Sequence, residues 1–418
     1  MDNQARYHYT FFLDSVPPFS DKMDLIGMYN LLEELGNFHE ELSVIHIAGT
    51  NGKGSCTIML DSIYRANGYT CATYTSPYID DYRECIHING SMISVEEMNE
   101  TTQEIQIAYE RLQSKGKQLP TQYECLTVIA FYSMYKANVN LAIIETLMGG
   151  RDDATNVFKN IEAALITSIS YDHTEFLGPS LMDITMHKAG IIQANCPVFI
   201  NPNKIEVIEA ICAYATKLKA PCYISKDYLN TSSIDFVEYL PLPLNGNHQI
   251  DNFLGVLSII TYLNKRYPIL SKKTRIGLSG LHHPCRIETF EQNGHTITLD
   301  GSHNEDGLTA LYQHLLADKT SSSAPIILVF GSLKGKNYQQ GLSLLASLAS
   351  EIIFTTPNSP RALETKAYNI QGRTIISNLD ECILYIQNRL KKRTTPLHFV
   401  ICGSLYIACP FRTALINH

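Results

Sequence analysis

The sequence predicts an α/β protein of two domains, and three observations carry that reading. An apolar run, Val44 to Ala48, breaks into the glycine-rich stretch Gly49-Thr50-Asn51-Gly52-Lys53-Gly54-Ser55 and then into a helical pattern. Two more apolar runs, Leu141 to Ile144 and Ala163 to Ile169, end in polar residues, as strands do where open α/β sheets build sites. Past Leu281-His282-His283-Pro284-Cys285-Arg286 the composition changes and strand-like runs again alternate with helical patterns, so domains are expected at 1–284 and 285–418.

Taken in order, Leu25, Met28, Leu31, Leu32 and Leu35 recur at helical spacing, and Gly36-Asn37 closes that segment. The helix after the glycine-rich stretch is expected over Ser55 to Asn67, ending at Gly68, with a strand at Cys71 to Tyr74 running into Thr75-Ser76-Pro77-Tyr78. Beyond Met186 to Ile191 and Pro197 to Ile200, Lys204 to Leu218 reads as an amphipathic helix. Ser225 to Pro243 is polar and proline-bearing, so a loop or short β excursion is expected there, followed by a helix from Asp251 to Asn264. In the second domain, strands are expected at Thr296–Leu299, Ile326–Phe330, Glu351–Thr355 and Leu397–Cys402, and Ser321-Ser322-Ser323 reads as a surface turn.

The glycine-rich stretch has the parts of a phosphate cradle. Gly49, Gly52 and Gly54 let the backbone aim N–H groups at an anion, Lys53 supplies a point charge, and Ser55 offers a hydroxyl to a phosphate-bound metal. An ATP-type triphosphate is the natural occupant, although the strict phosphate-loop pattern is missed: Ile47 stands where its first glycine would be, and Gly54 separates Lys53 from Ser55. Glu145 and His173 each follow a strand pattern and could bind a divalent cation, or could be an ordinary strand end and a satisfied loop histidine. Lys188 alone reads as a solvated helix lysine. Arg286, Asp300, His303 and Asn304 cluster past the domain boundary, with arginine suited to clamp phosphate.

Bulk properties exclude several classes. A length of 418 residues, 45% hydrophobic and 18% charged, suits two globular cores and argues against disorder. A net charge of −8 without a run of five Lys/Arg speaks against nucleic-acid or membrane surfaces. Eleven scattered cysteines with no Cys-x-x-Cys point to reduced thiols. Met1 to Asp14 lacks a secretory pattern and no apolar stretch approaches the ~20 residues of a bilayer span, so a soluble cytoplasmic protein is expected.

Taken together, Ala48 to Ser55, Thr75-Ser76-Pro77, Gly149-Gly150-Arg151 with Asp153 to Asn156, Asp172-His173-Thr174, Lys188 to Ile191, His248-Gln249 with Asn252, Asp300 with His303-Asn304, and Cys402-Gly403-Ser404 form an ordered series. The series resembles the folylpolyglutamate synthase and dihydrofolate synthase family of Mur-ligase-like amide ligases, from about His46 to Ala408. The resemblance implies a Mur-ligase-like α/β fold: a P-loop N-terminal ATPase domain and a smaller Rossmann-like C-terminal domain that contributes to the amino-acid site. It implies an enzyme that activates a carboxylate with ATP and Mg2+ and joins it to an amino acid, with L-glutamate added to dihydropteroate or a reduced folate.

By the same resemblance, Gly49, Thr50, Asn51, Gly52, Lys53, Gly54, Ser55, Asn252, Arg286 and Asp300 would bind ATP. Ser55, Ser76, Glu145, His173 and a carbamylated Lys188 would hold one or two Mg2+ ions, with K+ a further candidate ion. Lys53, Lys188, His173, Asp300 and His303 would serve catalysis, and Tyr123, Glu124, Arg151, Asp153, His303 and Ser404 would meet the small-molecule substrates of a monomer.

The chain departs from the family pattern in several places. A Leu-Gly-Leu-Glu-Arg-like segment is replaced by Met23-Asp24-Leu25-Ile26-Gly27, Ser-Pro-His by Ser76-Pro77-Tyr78, and Glu-Arg-Ile by Glu84-Cys85-Ile86. Glu-Val-Gly-Leu-Gly-Gly becomes Glu145-Thr146-Leu147-Met148-Gly149-Gly150, and Pro-Gly-Arg becomes Pro284-Cys285-Arg286. The loss of the first of these segments favours, as the alternative, a ligase that joins an amino acid to a non-folate acid. A nucleotide-binding module without turnover would lack a metal or phosphate residue, and none is missing.

Overall fold

The computed structural model describes residues 7–18, 24–230, 242, 244–319, 324–368, 373–392 and 395–416. The chain divides into two compact units: residues 1–169, 179–241 and 251–281 form the first, and residues 170–178, 242–250 and 282–418 the second. The segments 170–178 and 242–250, expected with the N-terminal domain, thus group with the C-terminal one.

The first unit holds an eight-stranded sheet: β1 (Val44–Ala48), β2 (Cys71–Tyr74), β3 (Ile86–Ile88), β4 (Ser91–Met92), β5 (Leu141–Glu145), β6 (Ala163–Ile166), β7 (Val198–Ile200) and β8 (Cys222–Ile224). Its order is β4-β3-β2-β5-β1-β6-β7-β8, with β3 antiparallel to both its neighbours β2 and β4 and all other pairings parallel. β1, β5 and β6 are buried along their whole length, which is why they read as continuous apolar runs. The one polar side chain inside β1, His46, hydrogen-bonds to Thr155 Oγ1 at 2.9 Å, and burial pushes its pKa down to about 3.

Helices cover the sheet, and several carry their start signals in the sequence. Val95–Ser114 and Gln122–Lys136 begin with reciprocal capping boxes, Ser94 with Glu97 and Thr121 with Glu124. The helix after β1 runs Lys53–Ala66, two residues earlier than its apolar pattern suggests, because Gly52 at φ 92 turns the chain directly into it. It packs against helix Ser271–Ser279 at Gly277, where an added Cβ would lie 2.6 Å from the Ser62 carbonyl oxygen. Two expectations change. Ser225–Asn230 is helical rather than loop, and the later helix spans His248–Leu263. Residues 231–241, Pro243, Met23 and the Ser321-Ser322-Ser323 turn lie outside the described residues.

The second unit has a six-stranded sheet: β9 (Glu288–Gln292), β10 (His295–Leu299), β11 (Ile326–Phe330), β12 (Ala349–Phe354), β13 (Thr374–Ile375) and β14 (His398–Cys402). The order is β13-β12-β11-β14-β10-β9, parallel except for β9. Alternate residues feed two cores. Ile327, Val329, Phe399 and Ile401 face Ile386, Ile407 and Phe411, while Leu328, Phe330, Val400 and Cys402 face Leu308, Leu311, Leu342 and Leu345. A sheet covered on both faces is the doubly wound arrangement, and its sites form past the strands' carboxyl ends.

Candidate active site

In the first unit the carboxyl ends of β2, β5, β1 and β6 lie side by side, with Ile47 opposite both Glu145 and Leu165. The chain leaves β1 toward β2 on one side, whereas β6 leads to β7 on the other, so the loops after β1 and β6 diverge. Such a divergence opens the crevice in which open α/β sheets bind ligands. The glycine-rich loop fills this place.

Its shape is fixed from the β6 side. Thr167 Oγ1 donates to the Asn51 carbonyl at 2.8 Å, Ser168 Oγ donates to the same carbonyl at 3.2 Å, and Thr50 N–H donates to the Ser168 carbonyl at 2.7 Å. Gly49 and Gly52 are glycine for room: an added Cβ would sit 1.7 Å from Thr167 Oγ1 at the first and 2.2 Å from Asn252 Oδ1 at the second. Asn252, which the sequence placed 200 residues downstream, is thereby brought to the loop.

Three charged side chains converge there. Lys53 Nζ donates to the carbonyls of Gly49 (3.1 Å) and Thr50 (3.2 Å) and lies 3.7 Å from Glu145 Oε1. Lys188 is buried, not solvated: it lies in helix Leu181–Ala189, and its Nζ donates to the Gly49 carbonyl at 2.7 Å. Ser55 is buried in the first turn of helix Lys53–Ala66, and Ser76 follows β2, the neighbour of β5. Two hydroxyls and a carboxylate are hard oxygen donors of the kind Mg2+ takes. Among the described residues no group of three His, Cys, Asp or Glu side chains could hold a metal, and Mg2+ needs only one or two carboxylates when phosphate supplies the rest.

The second unit gathers a separate polar cluster around Asp172. Its carboxylate meets Lys336 Nζ at 2.7 Å, His303 Nε2 at 3.5 Å and His173 Nε2 at 3.9 Å. Burial alone would raise its pKa. The hydrogen bond from His303 and the positive charges of Lys336, His173 and His303 outweigh burial and hold it far below the usual carboxylate range. Lys336 was not singled out from the sequence, yet it follows the apolar run of β11 and Gly331-Ser332-Leu333-Lys334-Gly335, the same strand-end pattern that marked Glu145. Asp300 is buried, its oxygens accepting from Ser302 N–H and Ile287 N–H, both at 2.8 Å. Ser404 Oγ accepts from Tyr406 N–H at 3.2 Å.

Other candidates have structural work in this fold. Glu124 is buried and accepts from the Thr121 N–H (2.6 Å) and hydroxyl (2.8 Å), so its carboxylate caps its own helix. Asp153 is buried and pins the turn after β5, accepting from Met148 N–H, Thr155 N–H and Thr155 Oγ1. Tyr123 has its ring against Tyr74, at 6.3 Å between centroids, and its hydroxyl is buried. Arg151 is exposed and pairs with its neighbour Asp152 at 3.0 Å.

Residues 47–260 match the model of the Mur ligase middle domain, and residues 285–404 match that of the Mur ligase glutamate ligase domain. The chain belongs to the Mur ligase family. Within that family it is 32% identical to the dihydrofolate synthase/folylpolyglutamate synthase of Bacillus subtilis, over 95% of this chain and 96% of that one. It is 29% identical to the dihydrofolate synthetase of Saccharomyces cerevisiae, over 92% and 96%. Among solved structures, Mycobacterium tuberculosis folylpolyglutamate synthase complexed with ADP and AMPPCP superposes with a TM-score of 0.80 at 25% identity, covering 98% of this chain and 97% of that one. As a Mur ligase of the folylpolyglutamate and dihydrofolate synthase group, the chain is an ATP-dependent amide ligase. No helix among the described residues is long and apolar enough to cross a membrane.

Proposed function

We propose that this ligase adds L-glutamate to dihydropteroate or to a reduced folate, with ATP bound on the loop from Gly49 to Ser55. The observation that supports ATP use is the meeting of Lys53, Lys188 and Glu145 at that loop: Lys53 Nζ lies 3.7 Å from Glu145, and Lys188 Nζ is 2.7 Å from the Gly49 carbonyl. The relatives named above bear the same activities in their names.

A carboxylate is too stable to react with an amine, so the γ-phosphoryl group of ATP is moved to it, giving an acyl phosphate and ADP. Lys53 carries the positive charge that offsets charge gathering among phosphate and carboxylate oxygens. Ser55, Ser76 and Glu145 are the oxygen donors for a magnesium ion, which when bound supplies further neutralisation of the phosphates. His173 is a further donor in this reading, and Lys188 is its candidate for carbamylation. Arg286 and Asn252 contact ATP, and His303 and Ser404 orient the amino acid, whose neutral amine attacks the acyl carbon and expels phosphate. The reading includes K+ as a further candidate ion and a monomer acting in the cytoplasm.

The test is ADP release that depends on added amino acid, with magnesium and ATP, across dihydropteroate, a reduced folylmonoglutamate and unrelated carboxylic acids. Turnover with either pterin and glutamate is the expected result. Silence with both, together with turnover on another acid, would establish the non-folate alternative that the departures at Met23 to Gly27 favour.

A further inference from the structure

The turn that carries Arg286 is built in an unusual conformation. Cys285 and Ile287, on either side of the arginine, both take left-handed backbone angles, φ 55 and φ 46. That region is uncommon for any residue but glycine, and a β-branched isoleucine there is a genuine outlier. Such strain persists only where the surroundings over-determine it, and it concentrates at functional sites.

The surroundings do over-determine it. The Cys285 N–H donates to Glu288 Oε2 at 2.9 Å, and the Cys285 carbonyl accepts from Gly301 N–H at 2.8 Å. The Ile287 N–H donates to Asp300 Oδ2 at 2.8 Å, and the Ile287 carbonyl accepts from Asn245 Nδ2 at 2.9 Å. Arg286 N–H donates to the His283 carbonyl at 3.3 Å. Beyond β10, the Arg286 guanidinium lies against the chain at Gly301, where an added Cβ would stand 3.0 Å from Nη1.

Glu288 has a second partner that explains why it is ionised in a buried place. Arg412, in helix Leu405–Ile416, donates from Nε to both oxygens, at 2.9 and 2.8 Å, and His282 Nε2 lies 3.0 Å from Oε1. Its charge is therefore balanced by Arg412. A carboxylate accepting charge-assisted bonds holds a backbone N–H more firmly than a neutral acceptor does.

We infer that Glu288, held by Arg412, is a positioning residue that fixes the strained turn and so aims the Arg286 guanidinium. The inference rests on the reading above in which Arg286 contacts the nucleotide. Misplacing a binding group by about 1 Å is enough to cost one or two orders of magnitude.

The test is calorimetric binding of AMPPCP with magnesium to the full chain, for wild type, Glu288→Gln, Arg286→Ala and the double variant, with thermal unfolding of each. Glu288→Gln is expected to weaken AMPPCP binding about tenfold, and to add nothing once Arg286 is already alanine, because its effect passes through that side chain. An undiminished second loss in the double variant overturns the inference while leaving the nucleotide contact of Arg286 standing. Arg286→Ala that binds AMPPCP as wild type does overturns both. Arg412→Lys keeps a charge beside Glu288, so it is expected to bind several-fold tighter than Arg412→Met; equal loss in the two, or loss in neither, also overturns the inference. That pair decides the question if Glu288→Gln does not fold.

Discussion

Gly49→Ala tests the loop geometry most directly. The alanine Cβ would lie 1.7 Å from Thr167 Oγ1 and 2.9 Å from Thr167 Cβ, at a backbone φ of 152. Thr167 is fully buried and cannot swing into solvent, and its hydroxyl is the donor that holds the Asn51 carbonyl at 2.8 Å. The substitution therefore combines overpacking, about 1–3 kcal/mol, a lost hydrogen bond, about 1 kcal/mol, and backbone strain of about 1–3 kcal/mol. A total near 5 kcal/mol lowers the melting temperature of a domain this size by roughly 10 °C or more, and nucleotide affinity should fall with it because the N–H cradle is displaced. Thr167→Ala alone removes the hydroxyl and the buried γ-methyl and should lose about 2 kcal/mol. The double variant should recover part of the loss but not all, since the residual Cβ contact is still too short. Thermal unfolding and AMPPCP calorimetry read both effects. A Gly49→Ala protein with wild-type melting temperature and affinity would refute the account of the loop.

Four further outcomes follow from named contacts. Lys53→Ala removes the charge beside Glu145 and should cut ADP formation by roughly 10²–10³-fold with the fold retained; normal turnover would remove Lys53 from the site. Lys188→Ala should be inactive and regain part of its turnover with small carboxylates that stand in for a carbamate, whereas full activity without rescue would show an ordinary buried lysine. Glu124→Ala should cost about 1–2 kcal/mol of stability through its lost cap while leaving KM for every substrate unchanged; a KM effect in a fully stable protein would return Glu124 to the substrate site. Asp172 has a depressed pKa in the folded chain, so its contribution is present above the unfolded value of about 4 and is lost as pH falls below it. Asp172→Asn should therefore flatten the acid limb of melting temperature against pH, and an unchanged acid limb would refute the pairing.

What the sequence made legible was local. β1, β2 and β5 follow runs whose burial leaves no polar alternation to confuse, and the polar residues at their ends pointed to the loop and to Glu145. Gly36 and Gly68, both left-handed, ended helices where they were expected to. What stayed hidden depends on contacts between distant residues. Lys188 reads as a helix lysine until its contact with Gly49, 139 positions away, is known. Lys336 gains meaning only beside Asp172, 164 positions away. Helix His8–Ser15 has no side-chain cap to announce it, and β4 and β13 are two residues long, too short for any period to register. Glu124 carries two readings at once, because a residue that can meet a substrate can also complete a capping box with Thr121, as it does here.

In the reading proposed above, the departure at Met23 to Gly27 bears on which acid is joined more than on how. Asp24 Oδ1 accepts from Gln118 Nε2 at 2.6 Å, Asn30 Nδ2 donates to the Gln118 carbonyl at 3.0 Å, and a Cβ on Gly27 would stand 2.5 Å from the Leu119 carbonyl oxygen. The stretch from Asp24 to Asn30 is thus docked on 118–120, just ahead of the Thr121 cap. Glu84 likewise accepts from the N–H groups of Ile79, Asp80 and Asp81, shaping the chain after Pro77. None of these contacts involves Lys53, Glu145 or Lys188. In the reading proposed above, the loop serves phosphoryl chemistry, and these two segments are the candidates for acceptor choice. A change of acceptor would require no change in the loop from Gly49 to Ser55, so loop residues that match the family support ligation of an acid without selecting the acid. Turnover with a pterin against turnover with another acid is consequently the measurement that separates the two readings, and no variant of the phosphate loop can substitute for it.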